Sequence, residues 1–359
     1  RFRPAVLPIA VVLLICTGAT ATVQAAEPAE ASEARSILDA TGVRGGLVVH
    51  LGCGDGKLTA ALRAGHGYLV HGLDTSAENV RRAREHVRSL GLCGSVSVDR
   101  CDGKRLPYVD NLINLVVAED LGTVGMDEVT RVLCPDGVAY VRQGGTWKKT
   151  VKPRPKEIDE WTHYLHDASN NAVSEDSVVG PPRQLQWVGG PQWARSHDHL
   201  ASVSAAVCSG RRIFYLVDEG PTAAVVLQPK WSLVARDAFS GVVLWERPIT
   251  RWEWHLRAFR SGPPELAKRL IAAGDCVYVT LQIDGPLSAL DAATGRTVMT
   301  YEGTEGTLEA VYDQGKLFVV AGDPAAEQAA AKARRRGERP GFGRVRPQRP
   351  AYPVVPPLK

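Results

Sequence analysis

The chain has 359 residues, of which 44% are hydrophobic and 23% are charged. This length allows two or three domains, and the composition is ordinary for a globular chain. The net charge of +4 comes from residues 323–359, which hold nine Lys or Arg and three Asp or Glu, so the rest is slightly acidic. A slightly acidic body gives no reason to expect nucleic acid as a partner.

The first 26 residues have the pattern of a secretory signal peptide. Arg1 and Arg3 precede an apolar run, and small residues ending in Ala25 and Ala26 follow it. This order is typical of an exported, periplasmic or extracellular protein. The run is shorter than the ~20 apolar residues that a membrane span needs, so we expect no stable span after cleavage. A retained signal would instead anchor the protein in the membrane.

Strands and helices are predicted to alternate over residues 36–146. Residues 45–51 are a short apolar run typical of a buried parallel strand, and a glycine-rich turn and a helix from Lys57 follow it. Further strands are predicted at residues 68–73, 95–100, 113–118 and 138–141, with helices at residues 76–90 and 126–133. This alternation predicts a Rossmann-like α/β domain whose doubly wound parallel sheet has about five strands, in the order 3-2-1-4-5.

Two segments carry a family resemblance. The stretch from Val48 to Gly56 resembles the first motif of class I S-adenosylmethionine-dependent methyltransferases, and Asp127 to Val138 resembles a later segment of that family. The family usually has an acidic residue where this chain has His50. A nicotinamide dinucleotide is a rival ligand, but its turn requires Gly-x-Gly-x-x-Gly, and the spacing here differs.

The resemblance implies S-adenosylmethionine as cofactor and assigns residues to it. The backbone at the glycine turn would pass the methionine part, a carboxylate after the second strand would bind the ribose hydroxyls, and a later loop would face the adenine. The implied cofactor-binding residues are Gly52, Cys53, Gly54, Asp74, Asp102 and Gly103. Glu119 and Asp120 follow the fourth strand and are candidate catalytic residues, with solvated loop residues as the alternative.

Residues 147–183 are predicted to be a basic, proline-broken linker, and short apolar strands follow from residue 184. Two stretches, Leu233 to Trp245 and Leu287 to Met299, nearly repeat. They resemble pyrroloquinoline-quinone-like β-propeller repeats, which implies an all-β partial propeller over residues 184–322. We expect roughly three blades, an open ring and therefore a piece of a longer chain, with residues 323–359 as a disordered tail or inter-blade loop.

The stretch from Glu160 to Asp167 and the order of the two domains also resemble exported two-part proteins of environmental bacteria such as planctomycetes. Four histidines near this stretch have residue types that suit a metal or haem: His163, His166, His197 and His199. The alternative is that these histidines form local hydrogen bonds within a tryptophan-rich junction.

Three functions follow from these features. The first is an exported S-adenosylmethionine-dependent methyltransferase whose propeller binds a substrate or protein partner. The second is a non-catalytic propeller binding or assembly protein with a relic Rossmann domain. The third, a quinone-dependent dehydrogenase, is disfavoured because the sequence has no adjacent cysteines and is too short to close a ring around pyrroloquinoline quinone.

Overall fold

The structure is a computed structural model that describes residues 28–178, 180–181, 185–190, 192–193, 202–223, 227–250 and 267–322. The predicted signal peptide, His197, His199 and the predicted tail of residues 323–359 lie outside these ranges. None of the helices in the described ranges has the length and apolar character needed to cross a bilayer.

The first part of the chain is a mixed sheet with helices. Its strands are β1 (Gly46–Leu51), β2 (Tyr68–Asp74), β3 (Val96–Arg100), β4 (Ile113–Ala118), β5 (Leu133–Gln143) and β6 (Thr146–Val151). Its helices are α1 (Ala29–Thr41), α2 (Lys57–Ala61), α3 (Ala77–Ser89) and α4 (Met126–Val132). The strand order is β3-β2-β1-β4-β5-β6, and the first five strands are parallel. The predicted Rossmann-like sheet and its order are therefore confirmed.

The expectation of about five strands is wrong by one. β6 pairs antiparallel with β5, so residues 147–151, which the sequence placed in a linker, belong to the sheet. The reversal occurs at Gly144 and Gly145, whose φ angles of 59° and 85° suit a two-residue hairpin turn. Tyr140 and Trp147 stack across this hairpin with ring centroids 4.9 Å apart. The helix-breaking prolines begin only after the strand has ended.

Both faces of this sheet are covered. On one face, buried residues of β1–β5 such as Val48 and Val70 pack against α1, α2 and α3. On the other face, residues such as Val49 and Val116 pack against α4 and the loop that follows β3. Val242, from the second part of the chain, also packs there. Covering on both sides explains why β1 and β4 are buried along their whole length and are apolar except at His50 and Asn114.

The second part consists of small antiparallel sheets. The first contains β7 (Val203–Ser209), β8 (Arg212–Asp218), β9 (Trp231–Asp237) and β10 (Val243–Ile249). The second contains β11 (Ile271–Ala273), β12 (Cys276–Thr280), β13 (Leu287–Asp291) and β14 (Thr297–Thr300). A hairpin follows, made of β15 (Thr307–Asp313) and β16 (Lys316–Ala321). In both four-stranded sheets, strands adjacent in sequence are adjacent in space.

The two sequence repeats form matching turns. Asp237 Oδ1 accepts hydrogen bonds from Ser240 N and Oγ, and Asp291 Oδ1 accepts them from Thr294 N and Oγ1, all within 2.7–2.8 Å. An indole also covers each turn. Trp187 Nε1 donates to Ala238 O at 2.9 Å, and Trp245 Nε1 donates to Ala292 O at 3.0 Å.

A buried hydrogen-bonded link joins the two parts of the chain. Asn114 of β4 is fully buried, and its Oδ1 accepts from Leu47 N at 2.8 Å. Its Nδ2 donates to Asp237 Oδ2 at 2.7 Å, and Asp237 is only 3% exposed. Because an unpaired buried carboxylate or amide costs free energy, this pair fixes how the first repeat turn meets the sheet.

Candidate functional site

The glycine turn after β1 presents open backbone. Gly52 and Gly54 have φ angles of 73° and 55°, which glycine adopts without strain. A Cβ added at either position would meet no atom within 4 Å, so the space beside the turn is empty. Gly56 differs, because a Cβ there would lie 2.7 Å from Ala83 Cβ. The first two glycines therefore leave room for a ligand, and the third allows α2 and α3 to pack.

Cys53, between those glycines, turns its thiol into the core. The residue is 4% exposed and belongs to the cluster under the helices. Burial, with a smaller contribution from the Asp74 charge, raises the pKa of the Cys53 thiol to about 12. The thiol is therefore protonated at neutral pH, and only the backbone of Cys53 faces the open side of the turn.

Asp74 ends β2 directly beside this turn and is 7% exposed. Its Oδ2 accepts a hydrogen bond from Gly54 N at 3.0 Å, and its Oδ1 accepts one from Ser76 N at 2.8 Å. Asn79 Nδ2 donates to both carboxylate oxygens at 3.2 Å. Sequence reasoning missed Asn79, because a polar residue in the first turn of a helix has many ordinary roles.

His50 lies behind the turn and carries no charge at neutral pH. It is 4% exposed, and its Nδ1 is 2.8 Å from Thr59 Oγ1 of α2. Burial lowers the pKa of His50 to about 4, although the nearby Asp74 carboxylate acts in the opposite direction. An acidic side chain here would add a negative charge to that of Asp74, whereas the neutral imidazole adds none.

The loop after β3 carries Asp102 and Gly103 to the same edge of the sheet. Asp102 is exposed, and backbone N–H groups of Lys104 and Arg105 hold the pKa of its carboxyl below the usual value. Gly103, with φ of 73°, is packed between Thr75 and Thr123, and Thr123 Oγ1 donates to its carbonyl. The loops after β2, β3 and β4 therefore meet at Gly103.

A hydrogen-bonded chain anchors that loop to the sheet. Tyr108 Oη is 2.7 Å from His71 Nδ1, and His71 Nε2 is 3.0 Å from Asp99 Oδ2. Burial lowers the pKa of His71, which favours the neutral ring. On the other side of the loop, Glu128 of α4 accepts from Leu106 N at 2.7 Å. These hydrogen bonds were not predictable from the sequence, because the residues that form them come from separate strands and a loop.

Glu119 and Asp120, the candidate catalytic residues, are exposed at the end of β4. Asp120 Oδ1 accepts from Gly122 N at 2.9 Å and so shapes its own turn. Both carboxylates lie at the same edge of the parallel sheet as the glycine turn and Asp74.

Of the four histidines predicted as candidate metal ligands, the two in the described ranges are hydrogen-bonded to protein atoms. His163 Nε2 accepts from Tyr312 N at 3.0 Å, and its Nδ1 is 2.8 Å from Thr162 Oγ1. His166 Nε2 is 2.6 Å from Asp159 Oδ2. Within the described ranges, no group of three or more His, Cys, Asp or Glu is placed to hold a metal ion.

Comparison with known proteins identifies the first part of the chain. The sequence model of a family described as "Methyltransferase domain" matches residues 48–137, which hold the glycine turn, Asp74 and the later motif. These residues are a class I methyltransferase domain. S-adenosylmethionine is the methyl donor that this family implies.

Relatives of the methyltransferase domain include two curated enzymes. Methyltransferase GfsG of Streptomyces halstedii is 38% identical over 100 residues, which cover 26% of this chain and 36% of that protein. The ubiquinone/menaquinone biosynthesis C-methyltransferase UbiE of Yersinia enterocolitica is 28% identical over 156 residues, or 40% of this chain and 60% of that protein. The chain thus spans less than two thirds of either relative.

Among solved structures, an S-adenosylmethionine-dependent methyltransferase from Aquifex aeolicus is similar, with 23% identity and a TM-score of 0.28. The match covers 30% of this chain and 62% of that one.

The residues of the methyltransferase domain fit this methyl donor. The open space beside Gly52 and Gly54 is a cradle that side chains would fill. Asp74 offers a carboxylate at the edge of that cradle, and a carboxylate accepts hydrogen bonds from hydroxyl groups such as those of a ribose. The donor carries no phosphate, so hydrogen-bond acceptors are more useful here than cations.

Proposed function

We propose that this chain binds S-adenosylmethionine at the glycine turn and transfers its methyl group to an acceptor molecule. The observation that carries the proposal is the buried Asp74 carboxylate, held by Gly54 N beside a glycine turn that is open to ligand. The identity of residues 48–137 as a methyltransferase domain supports the same function.

The chain's own residues divide the work of binding. The backbone of Gly52, Cys53 and Gly54 lines the methionine part, and Asp74 accepts hydrogen bonds from the ribose hydroxyls. Asp102, exposed on the neighbouring loop, accepts from the adenine amino group. When bound, S-adenosylmethionine would supply a methyl carbon that a nucleophilic atom of the acceptor attacks, and the positively charged sulfur would leave with the bonding pair as the neutral thioether of S-adenosylhomocysteine.

Glu119 and Asp120 are the candidates for the group that removes a proton from the acceptor molecule. Both are exposed at the carboxyl edge of the sheet, at the end of β4. In this proposal one of these carboxylates takes the proton that the acceptor atom releases, as a general base does. Asp120 Oδ1 already accepts from Gly122 N, so Glu119 is the stronger candidate for this base.

The second part of the chain is proposed to be β-propeller blades that bind a substrate or protein partner. Two observations support this proposal: each four-stranded sheet is a meander, and each repeat turn is covered by an indole from earlier in the chain. Trp245, which covers the turn of the second sheet, lies in β10 of the first sheet, as is expected of stacked repeat units. The signal-peptide pattern of residues 1–26 supports the proposal that the protein is exported. We propose no nucleic-acid partner.

A binding or assembly protein with an inactive methyltransferase domain is the second candidate function. The observation that favours it is the uncharged His50 behind the glycine turn, where an acidic residue is usual in the family. In that case the six-stranded sheet would only support the second part of the chain, and neither the methyl donor nor its product would bind.

Calorimetry with S-adenosylmethionine and S-adenosylhomocysteine separates these two functions. We expect one site per chain, and we expect Asp74→Ala to weaken binding by about 1–3 kcal/mol because it removes the acceptor of the ribose hydroxyls. Asp55→Ala is the matched control, since Asp55 lies in the same turn but its Oδ1 accepts from Lys57 N instead. Absence of binding below the millimolar range in the wild-type chain would overturn the proposal.

A further inference from the structure

All four acceptor positions of the Asp74 carboxylate are engaged within the protein. Oδ1 accepts from Ser76 N and Asn79 Nδ2, and Oδ2 accepts from Gly54 N and Asn79 Nδ2. A carboxylate offers about four lone-pair sites, so no further donor fits unless one of these leaves. A ribose that binds Asp74 must therefore displace a partner.

The partners of Asp74 differ in how easily they leave. Gly54 N and Ser76 N are backbone groups, and they cannot turn away without rebuilding the glycine turn or the start of α3. Asn79 is a side chain on α3, only partly buried, and rotation about its χ angles removes both of its bonds together. The displaced partner is then the Asn79 amide.

The orientation of that amide is fixed from its other end. Arg82 NH2, one helical turn along on the exposed side of α3, donates to Asn79 Oδ1 at 2.9 Å. Because the guanidinium is a donor only, the oxygen of the amide faces Arg82 and the NH2 group faces Asp74. The forked contact with both carboxylate oxygens follows from this orientation.

We propose that Asn79 is a positioning residue that competes with the ligand's ribose for Asp74. This inference rests on the function proposed above. In the free protein the NH2 group of Asn79 satisfies one acceptor position on each oxygen of the buried carboxylate, and these positions would be costly to leave unpaired. On binding, the two hydroxyls of a ribose diol take the same two positions, and the Asn79 amide turns toward Arg82 and solvent.

Removing a competing residue and removing a supporting residue change the affinity for the ligand in opposite directions. If Asn79 competes with the ribose, its removal makes ligand binding tighter, because the ligand no longer has to break two internal hydrogen bonds. If Asn79 instead holds Asp74 in place for the ligand, its removal makes binding weaker. If it only stabilises α3, removal changes the melting temperature and leaves affinity unchanged.

The experiment is a calorimetric titration of the full chain with S-adenosylhomocysteine, comparing the wild type with Asn79→Ala. We expect Asn79→Ala to bind about three- to tenfold more tightly, the size of one net hydrogen bond. Arg82→Ala, which frees the amide without removing it, should give a smaller gain of the same sign. Arg81→Ala is the matched control on the same helix, because its ion pairs with Glu78 and Glu85 do not involve Asp74.

The possible results distinguish this inference from the function on which it rests. Unchanged or weaker binding of S-adenosylhomocysteine by Asn79→Ala would overturn the competing role and leave the methyltransferase proposal standing. Absence of binding by the wild type and every variant would overturn both. Because alanine is a better helix former than asparagine, we expect Asn79→Ala to fold, and a melting curve checks this.

Discussion

His50 places an uncharged ring behind the glycine turn, and burial is the reason. The imidazole is 4% exposed and bonded to Thr59 Oγ1, so a proton added to it has little water to stabilise the charge. Burial therefore lowers the pKa of His50 to about 4. Of His50 and Asp74, only Asp74 therefore contributes a charge next to the glycine turn.

The lowered pKa of His50 predicts that stability falls as pH is lowered. Between pH 6.5 and about 4 the unfolded chain binds a proton at this position and the folded chain does not, so the free energy of unfolding rises with pH across that window. We expect this group to contribute about 2 kcal/mol less stability at pH 5 than at pH 7. Urea denaturation at both pH values measures the difference.

His50→Gln is the variant that isolates this contribution, because it keeps a polar side chain near Thr59 and removes the titration. The wild-type loss between pH 7 and pH 5 should exceed that of His50→Gln by about 2 kcal/mol. Equal losses in the two proteins would show that His50 does not titrate as its burial requires.

At the scale of elements, the first five strands were predictable because each contains buried apolar residues, alternating with polar ones in β3, between turn or cap residues. Ser76 illustrates this, since its side chain accepts from Asn79 N at 3.3 Å and begins α3 where the sequence places a helix. β6 was missed, because its residues are exposed, basic and without an apolar pattern. The pair Gly144-Gly145 was the available signal, as it is typical of a tight hairpin.

The candidate site was predictable in part for a related physical reason. Gly52, Gly54 and Asp74 are recognisable because a close backbone approach and a strand-end carboxylate need those residue types. The partners Thr123 and Tyr108 were not recognisable, because their contacts depend on how loops distant in sequence meet at one edge of the sheet. Such contacts join residues on different elements, and sequence spacing carries no record of them.

At the scale of the whole molecule, the link between Asn114 and Asp237 joins residues 123 positions apart and lies in the core between the two parts. Leu244 also packs closely against the first part of the chain. A Cβ added to Gly45 would lie 2.8 Å from Leu244 Cδ2, and a Cβ added to Gly67 would lie 2.8 Å from the carbonyl oxygen of Leu244. The first repeat turn is thus packed into the methyltransferase sheet. Both parts share this buried contact, so we expect them to unfold together.

The two repeat turns provide a matched test of this contact. Asp237→Ala and Asp291→Ala each remove the carboxylate that orders a turn, but Asp237→Ala also leaves the buried Asn114 amide with only the weak acceptor Cys134 Sγ. We expect Asp237→Ala to lower the free energy of unfolding by about 1–3 kcal/mol more than Asp291→Ala does. Urea denaturation followed by tryptophan fluorescence measures both losses. Equal losses would mean that the link contributes nothing to stability.

The proposed function requires that the methyl donor binds at the glycine turn, and hydrogen–deuterium exchange with and without S-adenosylhomocysteine tests this directly. Slower exchange is expected in peptides holding residues 52–56 and 74–79, with no change in those holding β12 to β14. No slowing at the glycine turn, or slowing confined to the β-sheets of the second part, would contradict the proposed site and the function built on it.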